Sequence, residues 1–202
     1  GLAAYGGLQT TEQASYNPTL IRYSWCGYGK PNPMTRAGYY NILGNYDKGC
    51  NNFASRSHID PDFTMPECGR EARGVMVELK RGIGQMLVSA ETARDPVFVL
   101  QSHSSILGAY IIGEDAVATS SRNTVIQFLR EFGLRYQSIS YDQLANGHLA
   151  QSGARVLVLP YCVALSPAEV GAIREWVKQG GTLVADLQTA IMDGHGKMYP
   201  KP

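Results

Sequence analysis

From residue 96 onward the apolar positions fall in short runs separated by amphipathic stretches. Pro96-Val97-Phe98-Val99-Leu100, Arg155-Val156-Leu157-Val158-Leu159-Pro160 and Thr182-Leu183-Val184-Ala185 are apolar on nearly consecutive positions, as strands buried on both faces are. Between the first two, Val125, Ile126, Leu129 and Phe132 recur at helical spacing over Asn123 to Phe132. After the second, Ser166-Pro167-Ala168-Glu169 offers a hydroxyl N-cap, proline at the first helical position and an acid in the first turn. The predicted helix buries Val170, Ile173 and Val177, with Trp176 beside them, and stops at Gly180-Gly181. Strand, helix, strand with apolar strands predicts a buried parallel sheet joined by right-handed crossovers.

Before Asp95-Pro96 the pattern is different. The chain is rich in Gly, Tyr, Asn and Pro, with loops such as Tyr28-Gly29-Lys30-Pro31-Asn32-Pro33 that no helix or central strand tolerates. Thr35 to Tyr46 reads as a helix, Cys50 to Ser55 as a short strand and Glu71 to Ala90 as a long helix with the stripe Val75, Leu79, Ile83, Met86 and Leu87. Gly74, Gly82 and Gly84 weaken that helix by roughly 1 kcal/mol each relative to Ala, so tertiary packing must hold it. The change of pattern predicts two domains, residues 1–95 and 96–202.

Composition narrows the function classes. The 202 residues carry 18 Lys and Arg against 17 Asp and Glu, and neither half is basic, so no partner among nucleic acids or anionic membranes is expected. Cys26, Cys50, Cys68 and Cys162 form no CxxC pair and no His/Cys ligand spacing, which points to reduced, mostly buried thiols, no metal and no cofactor. No apolar run approaches the ~20 residues of a membrane span. A start at Gly1 directly into apolar sequence reads as a piece of a longer protein.

The first candidate for chemistry is Glu12, which with Gln13 closes a strand-like run and opens an aromatic loop containing Tyr16, Tyr23, Trp25 and Tyr28. In a parallel (β/α) barrel the reacting groups sit at the C-terminal ends of strands, and aromatic faces nearby stack on sugar rings. A solvated surface glutamate in a packed aromatic loop gives the same letters. A second loop, Arg56-Ser57-His58-Ile59-Asp60-Pro61-Asp62, follows the Cys50 to Ser55 strand and offers Arg56 and His58 as hydroxyl donors, or simply a polar Asp-Pro turn. Cys162 with His103 or His195 raises a cysteine nucleophile, but the turn after Ala185 is Asp186-Leu187-Gln188-Thr189, without the Cys such an elbow requires. Cys162 therefore reads as a packing thiol, Gly180-Gly181 as a helix stop and His148 as a solvated turn residue.

Thr11-Glu12-Gln13, Lys30-Pro31-Asn32-Pro33-Met34-Thr35-Arg36 and Gly49-Cys50-Asn51-Asn52-Phe53-Ala54-Ser55-Arg56 resemble, in order, the end of the catalytic barrel of family 42 β-galactosidases. Leu157-Val158-Leu159-Pro160 through Gly180-Gly181-Thr182-Leu183-Val184-Ala185-Asp186 is similar to their trimerisation domain, of glutamine-amidotransferase-like fold without the nucleophile. The resemblance implies an α/β chain: the C-terminal part of a (β/α)8 barrel followed by a truncated open parallel α/β domain of flavodoxin or amidotransferase type. It implies Glu12 as the nucleophile of a retaining glycosidase acting on β-galactosides or related β-glycosides, with an acid/base glutamate upstream. Trp25, Tyr16, Arg56 and His58 become substrate-binding candidates, a carbohydrate the substrate, and a homo-oligomer, a trimer, the assembly. Ala54 and Ser55 stand where the family pattern carries Arg and Trp, a departure that bears on sugar preference. A non-catalytic oligomerisation or carbohydrate-binding module is the alternative.

Overall fold

The computed structural model describes residues 15–16, 62–65, 67–90 and 93–200. The chain divides into two compact units, Gly1–Thr92 and Ala93–Pro202. The expected helix at Thr35 to Tyr46 and strand at Cys50 to Ser55 lie outside the described residues.

In the first unit Ser15 and Tyr16 are helical. The loop before the long helix ends in a turn in which the Asp62 carboxylate accepts from the Thr64 amide (3.0 Å) and hydroxyl (2.7 Å). Those bonds favour the charged form and hold Asp62 below the usual carboxylate range. The long helix starts earlier than expected. It runs as α1 (Glu67–Glu78), a wider π turn over Leu79–Ile83, and α2 (Gly84–Ser89). Gly82 sits in the turn at φ 122°, a backbone geometry open to glycine and strained for other residues. The extra residue of the π turn rotates the helix beyond it, so the expected single stripe is broken: Leu79 is buried, while Ile83 and Met86 are exposed.

The second unit is an open α/β layer. Strands β1 (Val97–Gln101), β2 (Gln137–Ser140), β3 (Val156–Leu159) and β4 (Thr182–Ala185) form one sheet in the order β2-β1-β3-β4, every pair parallel. Helices α3 (His103–Ile111) and α4 (Asp115–Glu131) connect β1 to β2, α5 (Tyr141–Ala145) and α6 (His148–Gln151) connect β2 to β3, and α7 (Pro167–Lys178) connects β3 to β4. Alternate strand residues face opposite layers. Val97, Val99 and Val158 pack under Val125 and Leu129 of α4, whereas Phe98, Leu100, Leu157 and Leu159 pack with Leu144, Leu149, Ile173 and Trp176 of α5 to α7. The right-handed rule accounts for this split, since the β1-to-β2 connection moves one way along the sheet and the later two move the other way.

The N-cap of α7 is realised in full: Ser166 Oγ accepts from the Glu169 amide and the Glu169 carboxylate accepts from the Ser166 amide at 2.7 Å. Its end is fixed by packing, because a Cβ on Gly181 would lie 2.4 Å from the Trp176 ring. Three expectations are corrected. The helix placed at Asn123 to Phe132 begins two turns earlier, at Asp115, and leaves Phe132 exposed as its C-cap, stacked on Phe128. Val177 is exposed, on the solvent side of α7. β4 is a strand but not a buried one, with Leu183 and Val184 38% and 48% exposed. Among the described residues it has a strand neighbour on one side only, and the residues α4 sends to the sheet reach β1 and β3.

Candidate functional site

The sheet order sets where a site can form. Connections leave β1 toward β2 and β3 toward β4, in opposite directions, so the layers part above the C-terminal ends of β1 and β3, the switch point where open α/β sheets bind ligands. A cavity of about 230 Å³ lies there, among Gln101 and Ser102 at the end of β1, Pro160-Tyr161-Cys162 after β3, and the face of α4. That face is Asp115, Ala118, Thr119 and Arg122, spaced i, i+3, i+4, i+7. Arg122 Nη1 donates to Gln101 Oε1 at 3.3 Å, which ties α4 to the end of β1.

The floor is held by serines. Ser102 caps α3, its hydroxyl accepting from the Ser105 amide at 3.2 Å. The Ser105 hydroxyl donates to the Ala164 carbonyl at 2.7 Å and accepts from the Ala164 amide at 3.2 Å, fastening α3 to the segment after β3. Tyr161 turns that segment away from the sheet in the left-handed region, at φ 48°, although it is not glycine. Such a conformation costs about 1–3 kcal/mol and persists where surrounding packing imposes it; here Tyr161 is buried with Ala109, Val163, Ala164 and Met192.

The nucleophile candidates lining the crevice are already engaged. Both serine hydroxyls are engaged with backbone groups, and Cys162 is buried, its thiol donating to the Pro160 carbonyl at 3.7 Å. Burial, then the Glu169 charge, push that thiol up to about 12, with Ser105 opposing and Asp186 adding to the rise. A thiol protonated at neutral pH is no nucleophile, so Cys162 is the packing thiol expected. The turn after β4 carries Gln188 at φ 57°, with Thr189 donating to the Asp186 carbonyl, where an elbow nucleophile would have to stand. His148 is exposed at the start of α6. His195 lies in a surface turn whose Asp193 accepts the His195 and Lys197 amides and is held below the usual carboxylate range by them.

Of the residues singled out as glycosidase candidates, Glu12, Trp25, Arg56 and His58 lie outside the described residues, and Tyr16 is helical and partly exposed. The crevice residues were not singled out from the sequence. The spacing of Asp115, Ala118, Thr119 and Arg122 is the signal that could have found them, but their stretch contains one large apolar residue, Val117, and so gave no helical stripe.

No family model matches the chain, and no curated protein matches it in sequence. Among solved structures it is similar to a GH42 β-galactosidase at 18% identity, over 98% of this chain and 31% of that one, with a TM-score of 0.71. A catalytic mutant of the same enzyme, from G. stearothermophilus, matches at 18% identity over 99% and 32%, TM-score 0.70. An apo exo-carrageenase GH42 from Bacteroides ovatus matches at 12% identity over 98% and 28%, TM-score 0.66. The chain thus spans about a third of the length of these neighbours. The fold is that of the corresponding part of GH42 enzymes: α/β, consistent with a partial (β/α) barrel followed by the open parallel domain.

Proposed function

We propose that this chain is part of a retaining glycoside hydrolase that cleaves β-galactosides or related β-glycosides, with residues 1–95 contributing the end of the catalytic barrel and 96–202 the amidotransferase-like trimerisation domain. One observation carries the reading: the fold likeness to GH42 enzymes extends over 98% of the chain, and the ordered motifs from Glu12-Gln13 to Asp186 run along the same span. Glu12 is the nucleophile. Its carboxylate attacks the anomeric carbon as the glycosidic C–O bond breaks and a second carboxylic acid protonates the leaving oxygen; that group, now a base, then takes a proton from the water that releases the sugar. Retention requires the two carboxyl groups about 5 Å apart. The resemblance places the second upstream of Gly1, so the 202 residues alone are expected to be inactive. Trp25 and Tyr16 shape the sugar subsite, and Arg56 and His58 donate to hydroxyls. Treating the whole protein with an activated 2-deoxy-2-fluoro-β-galactoside and mapping the modified peptide by mass spectrometry tests this. Label on Glu12 is expected; label on another residue overturns the assignment.

A second reading, an oligomerisation module, is favoured by α3. Ile106, Leu107, Tyr110 and Ile111 are all exposed on a helix whose opposite side is already buried through Ala109. An exposed apolar face of this kind marks an association surface. Sedimentation equilibrium is expected to give a trimer that Leu107→Glu dissociates; a monomer at every concentration sinks it.

A further inference from the structure

We propose that the crevice between the ends of β1 and β3 binds one neutral, polyhydroxylated ring, a monosaccharide, at a site separate from the glycosidase centre. Charge argues first. Asp115 and Arg122 stand on one face of α4, so the lining carries one carboxylate and one guanidinium. A simple anion would meet the carboxylate and a simple cation the guanidinium, and a neutral ligand with both donors and acceptors satisfies both.

Group geometry argues second. Carboxylate, guanidinium and amide are planar forks with two or more hydrogen-bonding atoms side by side, the shape that matches a pair of vicinal hydroxyls. Asp115, Arg122 and Gln101 supply one of each, and Thr119 adds a hydroxyl. The Arg122 fork is already oriented by Gln101 at 3.3 Å, so less side-chain freedom is lost on binding. Against these stand Ile106, Pro160 and Tyr161, an apolar wall for the C–H face of a ring.

Size argues third. A volume of about 230 Å³ falls below the ~300–1,000 Å³ of pockets that hold drug-sized ligands. It holds one ring.

The test is an NMR titration of the 202-residue chain with D-galactose and D-glucose, following the Arg122 Nε–H and the Gln101 side-chain amide. Saturable shifts at both groups are expected, with tartrate, a dianion of similar size, failing to compete. Asp115→Ala and Thr119→Val, both at exposed positions where folding is not at stake, should each weaken binding about tenfold, and Arg122→Ala more. The proposal is overturned if neither sugar moves these resonances, if tartrate moves them at lower concentration than the sugars, or if Asp115→Ala binds as tightly as the parent. Labelling at Glu12 and shifts at the crevice report on different atoms, so either idea can fail alone.

Discussion

Strands β3 and β4 share Leu-Val at their centres and have opposite fates. Val156-Leu157-Val158-Leu159 and Thr182-Leu183-Val184-Ala185 pair in register along their whole length. Leu157, Val158 and Leu159 are buried, and the chain leaving β3 passes Tyr161 and Cys162 into the wall of the crevice. All four residues of β4 are exposed, and a groove of about 730 Å³ runs between it and α4, lined by Val117, Phe128 and Val184. Apolar runs of this kind report that a segment can be a strand. Whether it is central or an edge depends on what lies on either side, which is settled by connections many residues away.

That contrast can be broken by mutation. The largest effect is expected from Leu157→Ala, which removes a fully buried side chain from the layer shared with Ile173 and Trp176 and should cost about 2–5 kcal/mol in urea denaturation. A cost under about 1 kcal/mol would mean that β3 is no more central than β4. The next is alkaline. The Cys162 thiol, just past β3, rises from 9.0 to about 12 in the fold, so the unfolded chain gives up its proton first. The stability this neutral thiol contributes is therefore complete below pH 9 and declines as pH climbs toward 12. By pH ~10.5 the loss should approach roughly 2 kcal/mol, at about 1.4 kcal/mol per pH unit. Comparing the parent with Cys162→Ala at pH ~8 and pH ~10.5 isolates it, and equal slopes would refute the buried thiol.

Smaller still is the cap of the helix that joins the two strands. Ser166→Ala frees the Glu169 amide and should cost about 1 kcal/mol; no change in the unfolding midpoint would show the reciprocal bonds to be dispensable. Least is expected of Val184→Thr on β4, a shape-conserving swap at an exposed position, within about 0.5 kcal/mol of the parent. A loss near that of Leu157→Ala would place β4 in a buried setting.

What could be read from the letters follows the same division between local and distant causes. α7 was legible because its cap is local: hydroxyl, proline and acid stand within four residues, and the stop is Gly180-Gly181. β1, β3 and β4 were legible as strands. β2 was not, because Gln137-Ser138-Ile139-Ser140 carries a single apolar residue, Ile139, whose burial comes from pairing with β1. Nor was α3, since an apolar run of that length serves helix or strand alike. The crevice was illegible for a further reason. Its residues come from β1, α3, α4 and the exit of β3, and they converge only because β1 lies between β2 and β3. The glycosidase candidates rest on motif order, and Glu12, Trp25, Arg56 and His58 fall outside the described residues.

The central place of β1 also sets a timetable. Val97 finds its partner at Val156 and Phe98 one at Gln137, so the first strand of the sheet to be made has nothing to pair with when it leaves the ribosome. At roughly 5–20 residues per second, the 59 residues from Val97 to Val156 take several seconds to arrive. The β2 edge is filled sooner, since Gln137 follows Phe98 by 39 residues, so it is the edge that Val97, Phe98 and Val99 keep for β3 that waits longest. For this sheet, the hazard of misassembly is greatest before its second half exists.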